Sequence, residues 1–416
     1  MEYGCIGEHL AHSFSKEIHN ALADYEYILC ELDPEELDAF FSKKAFKAIN
    51  VTIPYKRDVI KYLDWVSDEA KAINAVNTIV NCDGKLYGYN TDFYGLKALI
   101  EREGVILNDK KVAILGSGGT SNTAFAVAKS MGAADIKKVS RNKKDDYITY
   151  DELYSDFSDC EIIINTTPCG MYPNTGVSAV ELSRLQRVEA VFDAVYNPLK
   201  SKLVCDARER GLVATGGLYM LVSQAAYAVE KFIGAPVNNN EVEKIFKTLF
   251  KNKMNIVLIG MPASGKTSVG KALAEGLGKT FVDTDDLIVE SECRAIPQIF
   301  ADLGEASFRQ IEKNVIYNIS KTNDRIIATG GGAVLNKENI DNLKGNGRVY
   351  FINRPLDLLI TTDDRPLSSN RADLEKRYNE RYDLYTNYAD VMIDGSGSVA
   401  DVAKRIEDDF IEYSCN

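Results

Sequence analysis

The stretch IVLIGMPASGKT, residues 256–267, decides the fold of the C-terminal part of the chain. Its four apolar residues predict a buried strand, and the next eight residues fit the pattern G-x-x-x-x-G-K-[ST]. A helical pattern from Ser268 to Leu277 follows. Glycines allow backbone N–H groups to surround phosphate oxygens at a helix N-terminus, where the helix dipole favours negative charge. The stretch therefore predicts a nucleoside triphosphate site in an α/β domain.

The residue types in this loop indicate what each residue is expected to bind. Lys266 is expected to reach the β- and γ-phosphates, and the hydroxyl of Thr267 to ligate Mg²⁺. Asp283 and Asp285 follow an apolar strand, so they are expected near the loop, where carboxylates can hold a metal-bound water or take a proton from a hydroxyl. The predicted nucleotide-binding residues are Gly260, Ser264, Gly265, Lys266 and Thr267, and the predicted metal ligands are Thr267 and Asp283.

Further residues of this part suit a small anionic ligand. Three glycines close the strand 326–329 and let the backbone approach a ligand closely. Three arginines offer forked cations for a carboxylate or a phosphoryl group, although a single arginine is more often a solvated surface residue. These candidates are Gly330, Gly331, Gly332, Arg309, Arg365 and Arg381.

A second glycine-rich turn lies at residues 116–119, after the apolar strand 112–115 and before a helix predicted over 120–131. Strands are also predicted over 136–139, 161–166 and 191–195, and this alternation indicates a parallel sheet with covering helices. The turn is a variant of the dinucleotide-binding loop. The next strand ends in Ser-Arg-Asn-Lys-Lys, where arginine favours the 2′-phosphate of NADP over NAD, the alternative being a solvated basic turn. The predicted cofactor-binding residues are Gly116, Ser117, Gly118, Gly119, Arg141 and Asn142.

The first hundred residues contain four polar clusters, at 12–15, 50–56, 77–78 and 90–92. Hydroxyls and amides of this kind suit a polyhydroxylated ring. Lys56 and Asp92 form a plausible proton-transfer pair, because an ammonium group held by a carboxylate can protonate a nascent alkoxide without histidine. The alternative is that all four clusters are ordinary polar loops.

Composition excludes several classes of protein. The 416 residues predict about three domains, and 61 acidic against 49 basic residues give a net charge of −12, which argues against a protein that binds nucleic acid through its overall charge. No signal peptide and no membrane-spanning stretch are evident. The eight cysteines are scattered and predict reduced, mostly packed thiols in a cytoplasmic protein. The three histidines, at 9, 12 and 19, lack metal-ligand spacing and predict polar loop and helix positions.

Breakers and periodicity suggest the domain boundaries. An apolar helix is predicted over 217–232, and an amphipathic helix with apolar residues from Val242 to Phe250 follows a proline and three asparagines. Only residues 251–253 then remain before the next strand, so the two halves are expected to lie close together. We expect a substrate domain at 1–100 completed by 217–250, a dinucleotide-binding domain at 101–216 and a phosphate-loop domain at 254–416.

The C-terminal part resembles shikimate kinase through GMPASGKT, FVDTD, IPQIFADLGEASFRQIE, TGGGAV, DDRPL and ERYDLY. The resemblance implies that Asp285 binds substrate hydroxyls and acts as base, with Asp283 near Mg²⁺. It implies that Arg309 and Arg381 grip a carboxylate, that Gly330–Gly332 touch the ring, and that Arg365 belongs to a lid. The sequence departs from the family at Ala263, where glycine is usual, and in a short acidic lid with Ile360 in place of arginine.

The N-terminal part resembles shikimate dehydrogenase through HSFS, NVTIPYK, AVNT, GYNTD, GSGG, SRN, NTTPCGM and GGLYMLVSQAA. The resemblance implies that Lys56 and Asp92 are catalytic and that Arg141 binds the 2′-phosphate. It also implies substrate contacts at Ser13 and Ser15 through the carboxylate, and at Asn50, Thr52, Asn77 and Gln224 through hydroxyls. The departures are Lys16 for proline, Asn74 for glycine and Ser140 for asparagine.

Together the two resemblances imply a fusion in which an α/β substrate domain and a Rossmann NADP domain precede a P-loop α/β kinase with a parallel sheet. The expected reactions are NADPH-dependent reduction of 3-dehydroshikimate to shikimate and ATP·Mg²⁺-dependent phosphorylation of shikimate. The partners would be these small molecules, with no nucleic acid and no membrane, and the oligomeric state stays open, a homodimer included. Two alternatives are a non-catalytic metabolite sensor and a pair of enzymes acting on a different polyol such as quinate.

Overall fold

The structure is a computed structural model that describes residues 1–8, 10, 14–143, 146–359 and 371–415, without the side chains of 371–373 and 414–415. The chain forms two compact units. Unit 1 comprises residues 1–170, 178–196 and 206–247, and unit 2 comprises residues 171–177, 197–205 and 248–416. Residues 171–177 and 197–205 thus lie inside the range expected for the dinucleotide-binding domain but pack with unit 2.

Three sheets account for the strands of the described residues. The first contains β1 (Tyr3–Gly7), β2 (Tyr27–Glu31), β3 (Ala48–Val51), β4 (Trp65–Val66), β5 (Thr78–Cys82) and β6 (Lys85–Tyr89). The second contains β7 (Lys111–Leu115), β8 (Asp135–Val139), β9 (Tyr147–Ile148), β10 (Ile162–Asn165), β11 (Ala190–Asp193) and β12 (Val213–Thr215). The third contains β13 (Asn255–Ile259), β14 (Thr280–Asp283), β15 (Arg325–Ala328), β16 (Gly347–Asn353) and β17 (Val391–Asp394).

The α-helices cover or connect these sheets. They are α1 (Ser15–Leu22), α2 (Leu37–Lys43), α3 (Asp68–Ile73), α4 (Thr91–Arg102), α5 (Gly119–Ser130), α6 (Tyr150–Ser155), α7 (Lys202–Glu209), α8 (Leu218–Ile233), α9 (Asn239–Lys253), α10 (Lys266–Leu277), α11 (Thr284–Glu292), α12 (Ile296–Ser320), α13 (Lys337–Asn346), α14 (Arg371–Tyr388) and α15 (Val399–Cys415). Short 3₁₀ helices lie at Pro34–Glu36, Asp58–Tyr62, Leu182–Arg184, Ala333–Leu335 and Leu356–Leu358.

The first sheet brings separated polar clusters together. Its strand order is β2-β1-β3-β5-β6-β4, with β5 antiparallel to both β3 and β6. Asn50 on β3 therefore lies opposite Thr78 on β5, and Thr78 lies opposite Tyr89 on β6. Ile6, Ile49 and Ile79 of these strands are buried and pack in one hydrophobic core. The clusters at 50–56, 77–78 and 90–92 meet at one end of these strands for that reason.

The second sheet has six parallel strands in the order β9-β8-β7-β10-β11-β12. Read from its first strand, β7, the chain builds outward on one side and then on the other, which is the doubly wound order 3-2-1-4-5-6. The glycine turn at 116–119 follows β7 and so lies at the point where the order reverses. Open α/β sheets bind their ligands at this point.

The third sheet is also parallel, in the order β14-β15-β13-β16-β17. Its first strand, β13, is central, so the phosphate loop after β13 again lies where the strand order reverses. Asp283, at the end of β14, pairs in register with Ala328 on β15. The phosphate loop, the Asp-Thr-Asp stretch and the three glycines after β15 therefore share one edge of the sheet.

Some expectations need correction. The helix predicted to end near Phe250 continues to Lys253, so only Met254 separates α9 from β13. The seven cysteines whose side chains are described are all free: Cys5 and Cys160 are buried, three are half-buried, and Cys82 and Cys293 are exposed, so two of them depart from the prediction of packed thiols. Within the described part of the chain, no helix is long and apolar enough to cross a membrane.

Candidate active sites

The phosphate loop of unit 2 wraps around the Lys266 side chain. Its ammonium group donates hydrogen bonds to the carbonyl oxygens of Gly260, at 2.9 Å, and Met261, at 2.8 Å, and the residue is only 8 % exposed. Gly260, Ala263 and Gly265 have φ values of +148°, +64° and +93°, so the loop needs residues that tolerate positive φ. A Cβ built on Gly265 would meet no atom within 4 Å, which leaves space above the loop for phosphate oxygens.

Thr267 and Asp283, the two predicted metal ligands, are in contact. The Thr267 hydroxyl donates to Oδ2 of Asp283 at 2.8 Å, and Oδ1 of Asp283 accepts from the backbone N–H of Asp285 at 3.0 Å, capping α11. A hydroxyl and a carboxylate are oxygen donors of the kind that Mg²⁺ prefers, and Mg²⁺ usually keeps several waters and binds substrate phosphates as well. The donor set therefore fits Mg²⁺. Among the residues that the structure describes, no cluster of three or more His, Cys, Asp or Glu side chains could hold a metal ion.

The acceptor side of this site is built around Gly330, Gly331 and Gly332. A Cβ on Gly330 would lie 2.6 Å from Oδ1 of Asp285, and a Cβ on Gly332 would lie 2.2 Å from Nη1 of Arg309. Arg381, which is 6 % exposed, donates from Nη1 to the carbonyl oxygen of Gly331 at 3.0 Å. The structure thus brings Asp285, the three glycines and two of the predicted arginines together. Arg365 and Ile360 lie outside the described residues.

Two residues of this pocket were not assigned a role from the sequence. Glu312, 1 % exposed, accepts a hydrogen bond from Nη1 of Arg309 at 2.8 Å; burial raises the pKa of its carboxyl group, and the Arg309 charge opposes that rise. Tyr385, also buried, donates its hydroxyl to the Gly331 carbonyl at 2.5 Å. The spacing Arg-x-x-Glu places Arg309 and Glu312 one helical turn apart and was the available signal for Glu312. Tyr385 is the last residue of the motif ERYDLY, but that motif did not indicate its contact with Gly331.

In unit 1 the predicted proton-transfer pair is formed. The Lys56 ammonium donates to Oδ2 of Asp92 at 2.6 Å, and the two side chains are 24 % and 15 % exposed. Asp92 lies in the first turn of α4, which the Asn90 side chain caps by accepting from the N–H of Phe93 at 3.3 Å. The pair is therefore partly shielded from water yet accessible to a ligand. A lysine held in this way can donate a proton to an oxygen that becomes negative during a reaction.

The predicted hydroxyl-binding residues divide into two kinds. The Asn50 amide is fully engaged: Oδ1 accepts from Tyr27 at 2.7 Å, and Nδ2 donates to the Asn77 carbonyl at 3.2 Å and to Thr78 Oγ1 at 3.1 Å. By contrast, Asn77 uses only Oδ1, which accepts from the N–H of Thr91 at 2.7 Å, and its amide nitrogen has no hydrogen-bond partner among the described residues. Asn77 therefore has a donor available to a ligand, whereas Asn50 holds the strands around it.

The remaining candidates of this pocket are placed as follows. Oε1 of Gln224, on α8, accepts from Thr91 Oγ1 at 3.3 Å, and this joins α8 to the Lys56–Asp92 side of the pocket through the start of α4. Thr52 follows β3 and keeps part of its surface exposed. Ser15 is the first residue of α1. Ser13 lies outside the described residues.

The turn at 116–119 has the shape of a dinucleotide site. Gly116 has a φ of +119°, and a Cβ there would lie 2.6 Å from Thr166 Oγ1, so glycine is required. A Cβ on Gly118 or on Gly119 would meet no atom within 4 Å, which leaves a space at the N-terminus of α5 where a pyrophosphate fits. Ser117 is exposed beside them.

The basic end of β8 lies next to this turn. Leu115 and Val139 pair in register, so Arg141 and Asn142 extend two and three residues beyond the strand end that flanks the turn. Both are exposed. The Ser140 hydroxyl donates to the Asn142 carbonyl, so serine closes the turn at the position where the resemblance led us to expect asparagine. The guanidinium of Arg141 is therefore available to a phosphate.

His19 lies on helix α1. It is 1 % exposed, its ring stacks on Tyr27 at 3.9 Å, and Nδ1 shares a hydrogen bond with the Tyr25 hydroxyl at 2.7 Å. Burial lowers the pKa of His19 to about 3, so the imidazole is neutral at physiological pH. The predicted helix position is confirmed, and the structure shows in addition that the side chain is buried. His9 and His12 lie outside the described residues.

Comparison with known proteins agrees with this geometry. Residues 5–79 match the family model described as shikimate dehydrogenase substrate binding domain, and residues 262–410 match the model described as shikimate kinase. A shikimate dehydrogenase (NADP(+)) from Clostridium perfringens is 39 % identical over 268 residues, an alignment that covers 59 % of this chain and 97 % of the relative. The chain belongs to the shikimate dehydrogenase family. Behind the dehydrogenase it has a shikimate kinase domain, so the fusion expected from the sequence is confirmed.

Solved structures support the same assignment. A chorismate mutase/shikimate 5-dehydrogenase fusion protein from Clostridium acetobutylicum has a TM-score of 0.56 and 36 % identity, covering 59 % of this chain and 96 % of that one. A shikimate dehydrogenase solved in complex with NADP+ has a TM-score of 0.52 and 32 % identity, covering 59 % and 94 %. The expected α/β fold class is thereby confirmed. The dehydrogenase half and the kinase half both belong to enzyme families, which removes the basis for a sensor without catalytic residues.

Proposed function

We propose that this chain performs two consecutive reactions on one carboxylated ring: NADPH-dependent reduction of 3-dehydroshikimate to shikimate, then transfer of the ATP γ-phosphoryl group to the 3-hydroxyl of shikimate. The first reaction is assigned to residues 1–250 and the second to residues 254–416. The observation that carries the proposal is that the chain has both a shielded Lys56–Asp92 pair and a phosphate loop facing Asp285, which are the groups that these two reactions need. The hydroxyl made by the first reaction is the acceptor in the second.

In the reduction, Lys56 protonates the carbonyl oxygen as it becomes a hydroxyl. Asp92, whose Oδ2 lies 2.6 Å from the Lys56 ammonium nitrogen, holds that group in position, and a proton from solvent replaces the one that is donated. The free Asn77 amide and the Gln224 side chain are assigned to ring hydroxyls, with Thr52 and Asn50 beside them, and Ser13 and Ser15 are assigned to the carboxylate. When bound, NADPH supplies the hydride to the carbonyl carbon.

Cofactor choice in the dehydrogenase half follows from Arg141. Its exposed guanidinium next to the glycine turn suits the 2′-phosphate of NADP, and no carboxylate stands at residues 140–143 to accept from a 2′-hydroxyl. Gly116, Ser117, Gly118 and Gly119 are assigned to the pyrophosphate, with Asn142 beside Arg141. The relatives named as NADP enzymes support this assignment.

In the phosphorylation, Asp285 orients the 3-hydroxyl and accepts its proton, while Arg309 and Arg381 hold the ring carboxylate and Gly330–Gly332 lie against the ring. Lys266 stabilises negative charge on the transferred phosphoryl group, and Arg365 is assigned the same role from the lid. The backbone of the loop, with Gly260, Ser264 and Gly265, holds the ATP phosphates. Thr267 and Asp283 would hold Mg²⁺, whose charge neutralises phosphate oxygens when it is bound.

Two substitutions separate the two activities. Lys56→Ala should lower the rate of 3-dehydroshikimate reduction by a factor of about 10² to 10⁴, the usual contribution of a general acid, and leave shikimate phosphorylation within twofold of wild type. Lys266→Ala should abolish phosphorylation and leave the reduction unchanged. Lys61→Ala is a matched control for the first variant, because that lysine is exposed on the same unit.

The assays follow NADPH oxidation and ATP consumption with 3-dehydroshikimate, shikimate, quinate and dehydroquinate. The proposal requires the shikimate pair to be the better substrates of both halves. A higher kcat/KM for quinate and dehydroquinate would show that these, and not the shikimate pair, are the substrates. Full activity of both variants would show that neither Lys56 nor Lys266 takes part in the reactions.

A further inference from the structure

Residues 171–177 and 197–205 belong to unit 2 although they lie between strands of the second sheet. The first segment begins six residues after the end of β10, and the second begins four residues after the end of β11. Both segments pack on the C-terminal half of α13, and the second segment also contacts Gly347 at the start of β16. We name this surface of unit 2, residues 341–347, the α13 end.

Three hydrogen bonds join the second segment to the α13 end. The N–H of Lys200 donates to the Gly345 carbonyl at 2.9 Å, the N–H of Leu199 donates to Oδ1 of Asn346 at 2.9 Å, and the Lys200 ammonium donates to the Gly347 carbonyl at 2.9 Å. The last carbonyl groups of a helix have no partner within it, and a cation there also interacts favourably with the helix dipole. The segment therefore acts as the C-terminal cap of α13.

The residues that form this cap are buried. Lys200 is 8 % exposed and Asn346 is 1 % exposed, and Nδ2 of Asn346 continues the network to the Ser320 carbonyl at 3.1 Å. A buried ammonium group is costly unless its donors are satisfied. The neighbouring Lys202 is different: its side chain is 27 % exposed, and its ammonium group lies 3.9 Å from Oδ2 of Asp341.

The first segment lies against the same helix. Gly176 has a φ of +82°, and a Cβ there would lie 2.9 Å from Oδ1 of Asn342. Pro173 accepts a long hydrogen bond, 3.4 Å, from the Tyr317 hydroxyl on α12. The first segment therefore contacts helices α12 and α13 of unit 2, and the second contacts α13.

The α13 end is connected to the walls of the kinase pocket. Helix α13 starts five residues after Gly332, and β16 pairs with β13, so that a Cβ on Gly260 would lie 2.8 Å from the Ile352 carbonyl. We propose that residues 171–177 and 197–205 are an intramolecular docking element of the kinase, so that the stability of the kinase site depends on residues encoded within the dehydrogenase. The kinase of this chain is then not a module that begins at residue 254.

Heat inactivation of both activities in one sample of the full chain tests the proposal. Lys200→Met keeps the length of the side chain and removes its donors, and Lys202→Met is the matched control. We expect Lys200→Met to shorten the half-life of kinase activity by about tenfold or more, the size of losing a hydrogen bond made by a charged group, and by more than it shortens that of dehydrogenase activity. Lys202→Met should change both half-lives by less than about twofold.

A steric pair provides a second test that does not remove a charge. Gly176→Ala and Gly211→Ala carry similar backbone strain, at φ values of +82° and +74°, but a Cβ on Gly211 would meet nothing within 4 Å. We expect faster kinase inactivation for Gly176→Ala than for Gly211→Ala. Hydrogen exchange of amides in 337–353 should increase in Lys200→Met and in Gly176→Ala, while amides of β7 stay protected.

The outcomes are decisive in either direction. Kinase half-lives that fall no further than dehydrogenase half-lives in Lys200→Met, or equal effects of the two alanine variants with unchanged exchange in 337–353, would overturn the proposal. If Lys200→Met does not fold, the glycine pair decides by the same criterion.

Discussion

Replacing Tyr385 with phenylalanine removes a single hydroxyl group from the wall of the kinase pocket. That hydroxyl donates to the Gly331 carbonyl at 2.5 Å, and the same oxygen accepts from Nη1 of Arg381 at 3.0 Å. Among the described residues, the Tyr385 hydroxyl makes no hydrogen bond to Asp285 or to the phosphate loop. The substitution therefore perturbs the peptide at Gly331 and the arginine that shares it.

The size of the effect follows from this geometry. A hydrogen bond between neutral groups contributes about 0.5–1.5 kcal/mol net, and the Gly331 carbonyl keeps its bond to Arg381, so no buried acceptor is left unpaired. A loss of about 1 kcal/mol is roughly fivefold in an equilibrium constant at 25 °C. We therefore expect the KM for shikimate to rise about fivefold, with kcat and the KM for ATP within about twofold of wild type.

The pH dependence provides an independent check. Burial raises the pKa of Tyr385 to about 12, so its hydroxyl remains a protonated donor throughout the range in which the enzyme is assayed. The ratio of KM between variant and wild type should therefore be constant from pH 6 to pH 9.

Tyr382→Phe is the control. Tyr382 lies one turn earlier on α14, packs edge-on to Phe351 at 5.9 Å, and its hydroxyl makes no hydrogen bond with any described residue. Steady-state kinetics with shikimate varied at saturating ATP is the assay. An unchanged KM in a folded Tyr385→Phe enzyme, or an equal rise in Tyr382→Phe, would refute the positioning role.

Three further perturbations have expected results. Ala263→Gly should raise the free energy of unfolding of unit 2 by about 0.5–1 kcal/mol and its Tm by about 1–3 °C. A φ of +64° costs alanine about 1–2 kcal/mol, whereas glycine adds about 0.4–1 kcal/mol of conformational entropy to the unfolded chain. A lower Tm of the variant in calorimetry would contradict this. Arg141→Ala should lower kcat/KM for NADPH by about tenfold or more and leave the value for NADH within twofold, and a parallel loss with both cofactors would exclude a 2′-phosphate contact. His19→Phe should make unit 1 less sensitive to acid. Burial holds the pKa of His19 at about 3 in the folded state, against about 6.5 in the unfolded chain, so the unfolded chain binds a proton that the folded one does not. In urea unfolding, the wild-type free energy of unfolding should therefore fall by about 2 kcal/mol more than that of the variant between pH 7 and pH 5. Equal losses would show that His19 is not buried as described.

The two glycine-rich loops could be predicted from the sequence because their determinants are local. Gly116 and Gly265 need positive φ, the strands before them are apolar, and the helices after them begin within the same short stretch. Asn74, which stands where the dehydrogenase family has glycine, also has positive φ, at +56°, and asparagine is among the residues that tolerate this region.

Other contacts around the two candidate sites could not be predicted because the partner residues are distant in sequence. Tyr385 reaches Gly331 across 54 residues, and Tyr27 reaches Asn50 across 23. His19 is buried because α1 packs its ring on Tyr27 of β2, and nothing in the residues beside it indicates that contact.

The end of α9 shows the same limitation for secondary structure. Amphipathic periodicity stops near Phe250, but the helix continues to Lys253. The Lys279 ammonium, 5 % exposed, donates to the carbonyl oxygens of Lys251 and Asn252 and so caps the helix end from 28 residues away. A cap supplied by another element leaves no stop signal in the local sequence.

The most direct test of the consecutive reactions is to incubate the full chain with 3-dehydroshikimate, NADPH, ATP and Mg²⁺ and to quantify the phosphorus-containing products by ³¹P NMR alongside NADPH absorbance. We predict equal amounts of NADP⁺, ADP and shikimate 3-phosphate. Oxidation of NADPH without an equal release of ADP, or a phosphorylated product that is not formed from shikimate, would contradict the proposal that both halves act on the same ring.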